Sequence, residues 1–546
     1  MPGNGAEVVA GGAIHHPETR TGGSTWAPLR VPIFRALFVA QLGSNIGNWM
    51  ETVGAQWILV DHPRAETLVA LVQTADMLPF MFLALPAGVF ADLFDRRRYL
   101  MFVHLFLAAT SGALAAATFA GVIGPALLLT LTFLEGAGTA LAGPAWQAII
   151  PELVPRAELP AAAALGGVNK NIARAIGPAL AGILVARMGP GVVFAINAVT
   201  FFFGIVVVLA WRPVEKPPST LARERILPAL RAGARYVRHS PAARRLLLRV
   251  TLFVAPASAL WALLPVVASR RLGLGPSGYG VLLGALGAGA VLGAVVLPRL
   301  QRLPSTAWMI GGASLLYAGA LAATGMLAST AAVLPFLVVA GMAWLTILVH
   351  VTASMQLLLP GWVRARGLSI YQLTFMGAQA IPAAIWGVVA ERIGIGPALV
   401  IAALVLVAGA ATIVRWPISD TSKLDRSPAI YWSTPTLLID PEATPGPVMV
   451  TLRYTVSERN SAAFVAAMAR VGRSRQRTGA ISWELFRNGE KPTEFVEIFV
   501  VSTWEEHQRQ HEGRLPGADR EAERRAHALA DSGPEVAHLF PAAAKE

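Results

Sequence analysis

Apolar stretches recur about a dozen times between residues 35 and 416, each near the 20 residues an α-helix needs to cross a bilayer's hydrocarbon core. Lipid cannot satisfy backbone N–H and C=O groups, so a chain built this way has to fold as helices that bond internally. The spans are placed at 35–60, 67–91, 99–121, 125–149, 161–186, 191–211, 246–269, 277–298, 307–328, 331–357, 367–391 and 396–416. Turn signals separate them, among them His62-Pro63, Gly124-Pro125, Gly189-Pro190-Gly191, Gly275-Pro276 and Gly396-Pro397.

The spans divide into two sets of six that share residues. Gln147, Pro151 and Val154 follow the fourth span, and Gln356, Pro360 and Val363 repeat the pattern after the tenth. Gly88 near the end of span two has a counterpart in Gly293 near the end of span eight. A parallel repeat of six spans is a common plan of secondary transporters.

Composition narrows the class further. Only 14% of residues are charged, where a soluble domain carries about a quarter. The net charge of +13 would suggest nucleic acid in a soluble protein. Here the cations sit mainly in the loops after even-numbered spans (Arg96, Arg97, Arg98, Arg156, Arg299, Arg302, Arg364, Arg366) and in the connector from Arg212 to Arg249. That asymmetry puts both termini on the cytoplasmic side and excludes a nucleic-acid partner. Arg270-Arg271 breaks the pattern, and is expected to snorkel to the interface. The absence of cysteine excludes disulfides, thiolate catalysis and cysteine metal sites.

The organisation read from the chain is a flexible N-terminal segment 1–32, a six-helix bundle 33–211, a connector 212–245, a second bundle 246–416, a linker 417–446 and a cytoplasmic domain 447–541. The connector ends in a basic amphipathic helix with Leu227, Leu230, Ala234 and Val237 on its apolar face, expected to lie on the anionic leaflet. In the last segment Val448, Val450, Leu452, Tyr454 and Val456 alternate as in a half-buried strand. A helix with Phe464, Val465 and Met468 follows, then a hairpin turning at Asn488-Gly489, helical sequence from Trp504 to Ala530, and a short strand near Val536–Phe540. The order β-α-β-β-α-β is ferredoxin-like.

The sharpest local motif is Gly88-Val-Phe-Ala-Asp92-Leu-Phe-Asp-Arg96-Arg97-Arg98 at the end of span two. Gly88 permits close helix approach. Asp92 can pair with the arginines or sit at a helix N-terminus, in one conformational state and not the other. This stretch resembles the loop signature G-x-x-x-D-R-x-G-R-R of the major facilitator superfamily. Gly88, Asp92, Arg96 and Arg97 match it, while Leu93 and Asp95 depart. Residues 141–182, with Pro144-Ala-Trp-Gln147, Pro151-Glu-Leu-Val-Pro155 and Ala173-Arg174-Ala-Ile-Gly177-Pro178, are similar to the branch of siderophore and drug exporters, the transmembrane secretion effector type. Gly177, Pro178 and Gly182 resemble the glycine-proline signature of its antiporters, which implies export in exchange for protons. In physical terms Pro178 removes one helix hydrogen bond and the glycines allow close packing.

Charges inside spans are costly and mark function. At about 1.5 Å per residue, Asp76, Glu135 and Arg174 fall about 15–18 Å deep, near the bilayer midplane. The expectation is an Arg174–carboxylate cluster facing a central cavity, released when a proton neutralises Glu135 or Asp76. Glu51 and Lys170 are placed further from the middle. Between residues 246 and 416 the only acid is Glu391, so proton coupling is assigned to the first half. The second half offers Trp261, Trp344, Tyr371, Gln372, Gln379 and Trp386 as a cavity lining that suits an uncharged or amphipathic organic solute better than a small ion. His104 and His350 are read as interfacial.

The C-terminal segment resembles the dimeric α/β-barrel family that includes small cofactor-free monooxygenases of antibiotic biosynthesis, on Trp504-Glu-Glu-His507-Gln-Arg-Gln-His511-Glu512. That resemblance implies His511 as acid/base, Trp483 stacking on an aromatic substrate, and a homodimer through this domain. No metal set accompanies the histidines.

These readings converge on an all-α polytopic membrane protein of twelve transmembrane helices in two six-helix bundles, the major facilitator fold, with an α+β ferredoxin-like appendage. The expected activity is export of a small organic molecule (drug, siderophore or secondary metabolite) across the bacterial inner membrane by proton antiport, with no cofactor. Its partners would be the solute, protons and membrane lipid. Two alternatives stand beside it: nutrient import by the same fold, and a bifunctional transporter whose appendage is an enzyme.

Overall fold

The computed structural model describes residues 26–211, 226–300, 306–416, 437–439 and 446–542. The linker assigned to 417–446 and the segment 1–25 lie mostly or wholly outside the described residues.

Among these, twelve helices of 21 to 30 residues form the apolar part: α1 (Pro32–Ile58), α2 (Ala65–Leu93), α3 (Arg96–Phe119), α4 (Pro125–Leu153), α5 (Leu159–Met188), α6 (Pro190–Ala210), then α8 (Pro241–Val266), α9 (Pro276–Leu300), α10 (Thr306–Met326), α11 (Thr330–Leu358), α12 (Arg364–Ile393) and α13 (Ile395–Arg415). The short helix α7 (Ile226–Arg238) stands between the halves. Proline opens several of them (Pro32, Pro125, Pro190, Pro241), where its missing N–H costs nothing. Gly189 and Gly394 take positive φ at the tight α5–α6 and α12–α13 turns.

Ten of the twelve are long and apolar enough to cross a membrane. The other two, α1 and α5, have the length but carry Asn45, Asn48 and Glu51, and Asn169, Lys170 and Arg174. The least lipid-like helices are thus the ones that supply polar groups to the interior.

The helices form two halves, α1–α6 and α8–α13. Within each, a glycine on one helix lies on the backbone of its neighbour. A Cβ on Gly136 of α4 would stand 2.1 Å from the carbonyl of Asp76 on α2, and one on Gly341 of α11 would stand 2.0 Å from the carbonyl of Leu286 on α9. The repeated Q-x-x-x-P-x-x-V segments agree in burial at their ends, with Gln147 and Gln356 exposed and Val154 and Val363 buried, and differ at the proline, exposed at Pro151 and buried at Pro360.

The halves meet mainly through α2 with α12 and α5 with α9. Along one flank of α5, Pro178, Ala181 and Gly182 are buried, and Pro178 and Gly182 abut Pro276 and Gly280 of α9. Further toward Leu159 the same flank, Ala163, Gly167, Lys170 and Asn171, is exposed. The two halves are closed at one end and parted at the other, which bears Arg96–Arg98 and α7. Gly88 lies at the parted end, and a Cβ there would meet nothing within 4 Å. The close helix approach expected at Gly88 is therefore not made among the described residues. Its counterpart Gly293 does touch the Met342 backbone.

Two expectations for the middle of the chain are corrected. The seventh span does not end at 269. Its helix α8 continues as a π-helical turn, Val267–Arg271, in which Leu272 N–H bonds to Val267 O. The amphipathic helix α7 turns its apolar face to protein rather than lipid. It buries Ala232, Tyr236 and Val237 against α8, α12 and the C-terminal region, and leaves Ala234 exposed. The Leu227 and Leu230 side chains lie outside the described residues.

The C-terminal part folds as β1 (Val448–Thr455), α14 (Ser461–Thr478), β2 (Ala480–Arg487), β3 (Glu494–Val501), α15 (Trp504–Arg509), a π-helical turn, α16 (Gly517–His527) and β4 (Glu535–Leu539). The antiparallel sheet has the order β2-β3-β1-β4. The helical run expected from Trp504 to Ala530 is broken at Leu515-Pro516. On α14 the buried face is Phe464, Met468 and Val471, with Val465 exposed.

Candidate functional site

A cavity of about 350 Å³ lies between the halves. Helices α1, α2, α4, α5, α8, α9 and α12 supply its walls, which include Glu51, Asp76, Glu135, Lys170, Arg174, Trp49, Trp261 and Gln379. The four charged residues singled out in the spans, Glu51, Asp76, Glu135 and Arg174, therefore share one space.

The acids are not paired with Arg174. Glu51 and Glu135 are both buried and meet at Ser111 of α3, whose Oγ lies 2.9 Å from Glu51 Oε2 and also contacts Glu135 Oε1. Asn197 of α6 donates to Glu51 Oε2 at 2.6 Å. A serine has one hydroxyl hydrogen and can donate to one acid only; the other contact is a hydrogen bond when that carboxyl carries a proton. Glu51, ranked below the others by depth, is the hub of this group. Depth could not show Ser111 and Asn197, two uncharged residues on separate helices.

Arg174 instead lies over the Trp49 ring, 5.8 Å from its centroid. Among the described residues it forms no ion pair, and neither does Lys170 one turn earlier. The expected Arg174–carboxylate cluster is corrected accordingly: Arg174 packs on the Trp49 ring of α1, while Glu51 and Glu135 are engaged with Ser111 and Asn197. Gly177 keeps this geometry, since a Cβ there would stand 2.6 Å from Trp49 Cβ. Trp49 also contacts Trp261 across the halves, with ring centroids 6.0 Å apart. Gln73 Oε1 and Thr132 Oγ1, both in buried residues of the cavity wall, have no hydrogen-bond partner among the described residues.

Of the six second-half residues expected to line the cavity, Trp261 and Gln379 do so, and the described residues Tyr279, Leu283 and Met376 join them. Trp344 is buried among Phe253, Trp261, Tyr317 and Phe375. Tyr371 bonds Thr352 at 2.9 Å, Trp386 donates to Ala255 O at 2.8 Å, and Gln372 is exposed away from the site. Trp344, Tyr371 and Trp386 are buried packing residues, and Gln372 is exposed outside the cavity lining; sequence shows polar aromatics but not which helix face they occupy. His104 is also not interfacial. It is buried against Trp146, Phe201 and Gly204, with Nδ1 on Leu100 O.

The closed end is held by polar contacts between the halves. Arg270 donates to Glu66 Oε1 and to His62 O, both at 2.7 Å. Thr67 bonds Glu391. Tyr279 donates to Gln56 Oε1 at 2.6 Å. Arg270 does not snorkel, because the π-helical turn aims it at the opposite half. At the parted end, Arg96 donates to Glu152 at 2.6 Å and Arg97 to the carbonyls of Val208 and Leu209, so both tie α3 to α4 and α6 within one half. Asp95, a departure from the loop signature, caps α3 by accepting from Arg98 N–H at 2.8 Å. The Asp92 side chain lies outside the described residues.

Comparison with known proteins settles the family. The model of the transmembrane secretion effector family matches residues 23–545. The chain belongs to that family of major facilitator transporters. Among relatives, a staphyloferrin A transporter of Staphylococcus aureus is 24% identical over 47% of this chain and 64% of its own length. The multidrug efflux pump Tap of Mycobacterium tuberculosis is 28% identical over 38% of this chain and 51% of its length. Macrolide efflux protein A of Streptococcus pyogenes is 23% identical over 30% and 40%. The chain thus spans between 40% and 64% of the length of these relatives. In fold, it is similar to a bacterial homolog of the human lysosomal transporter Spinster in an inward-facing, unoccupied conformation, with a TM-score of 0.57, 16% identity, and 72% of this chain and 96% of that one covered. A POT family transporter in complex with 5-aminolevulinic acid gives a TM-score of 0.56 at 14% identity, over 71% and 96%.

In this secretion effector the C-terminal sheet is docked on the transporter part. Arg235 of α7 donates to Glu506 at 2.8 Å, Arg514 also holds Glu506 at 2.6 Å, and the Arg514 guanidinium lies 4.8 Å over the Trp362 ring. Burial alone would raise the Glu506 carboxyl, but Arg514 and Arg235 outweigh it and hold it below the usual carboxylate range. The two residues that the monooxygenase resemblance implied have structural neighbours. Trp483 Nε1 donates to the fully buried Glu497 at 2.9 Å, in a knot with Arg475 and Tyr454. Burial pushes His507 down to about 4 and, with His507 adjacent, His511 down to about 3. A histidine so shifted is neutral at pH 7 and a poor proton acceptor there.

Proposed function

We propose that this chain is a secondary active transporter that exports a small amphipathic organic molecule across the bacterial inner membrane in exchange for protons, through twelve membrane-spanning helices with both termini in the cytoplasm. The observation that carries the reading is the charged cavity between two six-helix halves, closed at one end and parted at the other. On the arginine distribution, the parted end faces the cytoplasm. Alternating access then needs the α5–α9 and Glu66–Arg270 contacts to break while the other end closes. The Glu51–Ser111–Glu135 group supplies a buried site where a proton bridges two acids, and Asp76 a carboxyl open to the solute. The relatives that handle staphyloferrin A, multiple drugs and macrolides support a small-molecule solute.

The test is uptake into everted vesicles energised with an acidic interior, over a panel that includes a siderophore and a macrolide. Proton-dependent accumulation that vanishes with a protonophore is expected. Accumulation only in right-side-out vesicles would favour import, the second reading. The docked sheet is assigned a structural or dimerising role, since its implied acid/base histidine, His511, is half-buried against His507 and held neutral at pH 7. Oxygen consumption by the full chain with an aromatic substrate would overturn that assignment.

A further inference from the structure

Two opposite charges face the cavity with no ion-pair partner among the described residues. Arg174 has Trp49 beneath its guanidinium and no carboxylate in ion-pair range among the described residues; a ring below the plane leaves the N–H donors at its edge free. Lys170, one turn along the same flank of α5, adds a second cation. Asp76, on α2, lines the same space, and among the described residues no hydrogen bond or ion pair holds its carboxylate. The remaining acids, Glu51 and Glu135, are occupied with Ser111 and Asn197.

Charges at this depth normally pair with one another. Here they share a cavity and remain apart, on separate helices. The same cavity is lined by the rings of Trp49 and Trp261 and by Gln73 Oε1 and Thr132 Oγ1, which have no hydrogen-bond partner among the described residues. A solute that brings its own two charges would complete both half-pairs at once.

We infer that the transported solute is amphoteric: it carries an anionic group, such as a carboxylate, that meets Arg174 and Lys170, and a protonated amine that meets Asp76, joined by an apolar or aromatic body. This inference rests on the transporter reading above and names its solute class. It also gives the exchange a physical form. An ammonium and a proton compete for the Asp76 carboxylate, so loading one releases the other, while the anion at Arg174 fixes the orientation of the solute.

The test uses the purified full chain in nanodiscs and four probes of one size: naphthylalanine, its amide, its N-acetyl acid and its N-acetyl amide. Equilibrium dialysis reads their affinities. Naphthylalanine is expected to bind about tenfold or more tightly than either singly charged probe, in line with a charge-assisted hydrogen bond. Arg174→Gln should erase the advantage of naphthylalanine over its amide and leave its advantage over the N-acetyl acid. Asp76→Asn should do the reverse. Arg174→Lys should keep part of the carboxylate preference, which separates charge recognition from misfolding. Equal binding of the neutral probe, no naphthylalanine binding at millimolar concentration, or a charge preference unchanged in both variants overturns the inference. Everted-vesicle flux is read separately. Flux without this charge pattern sinks only the solute class, and the charge pattern without flux of any compound sinks only the transporter reading.

Discussion

Glu66 and Arg270 meet at 2.7 Å across the two halves of the molecule, one from the first turn of α2 and one from the π-helical turn after α8. Their side chains are 12% and 36% exposed, so the pair is worth no more than about 1 kcal/mol. A contact of that size holds the end shut and still opens on a transport cycle.

Breaking that pair should therefore shift the conformational balance rather than unfold the chain. Arg270→Met or Glu66→Gln is expected to lower the closed population at this end several-fold, and the charge swap Glu66→Arg with Arg270→Glu to restore it. The chain has no cysteine, so cross-linking of one introduced pair between α2 and α8 reads this without background. Unchanged cross-linking in both single variants would remove the latch.

The α5–α9 seam makes a second, steric prediction. A Cβ on Gly182 would stand 2.7 Å from Pro276 O, and one on Gly280 would stand 2.8 Å from Pro178 O. Gly280→Leu should wedge the halves apart and cut flux about fivefold or more with normal membrane insertion, since overpacking of this kind costs about 1–3 kcal/mol. Wild-type flux would show that the seam does not close during transport.

Ser111 links two acids and should matter more than a lone serine. Ser111→Ala and Glu51→Gln are both expected to abolish proton-driven accumulation while leaving downhill solute exchange. Glu135→Gln and Asp76→Asn should differ from each other, since one acid is bridged and the other open. If all four variants keep proton-driven accumulation, the buried acids play no part in coupling.

The docked sheet has a pH signature. His507 and His511 titrate near 4 and 3 in the folded chain, against about 6.5 when unfolded. The unfolded state binds their protons first. Their contribution is complete above pH 6.5 and is lost as the pH falls through that window toward 4. Thermal unfolding of the C-terminal region should drop on acidification from pH 7 to 4.5, and His507→Gln should flatten the drop. A pH-independent midpoint would contradict this burial.

Glu506→Gln removes the shared partner of Arg235 and Arg514. Faster protease cleavage or hydrogen exchange at α7 and around Trp362 is expected, with α14 protection kept. No change there would mean the sheet is held by its apolar contacts alone.

The apolar runs, the doubled Q-x-x-x-P-x-x-V segment and the alternation in β1 were enough to read two helical halves and a β-α-β-β-α-β tail from the residues. Burial periodicity and turn chemistry are local, so they are written along the chain. The candidate site was legible only as a list of misplaced charges: Glu51, Asp76, Glu135 and Arg174 do share a cavity. Their partners were not legible. Ser111 and Asn197 carry no charge to mark them, and Trp344 and Tyr371 look like a lining until their helix faces are known. Arg270 looked like a topological misfit because its partner lies 204 positions away.

Sequence by itself determined that the chain is a doubled set of apolar helices with polar groups at membrane depth, because a bilayer leaves no other way to satisfy the backbone. Only the tertiary structure decided which charges are paired, which line the cavity without an ion-pair partner among the described residues, and which end is shut. Those depend on how helix faces are rotated against one another, and a change of one residue in facing turns a side chain by about 100°.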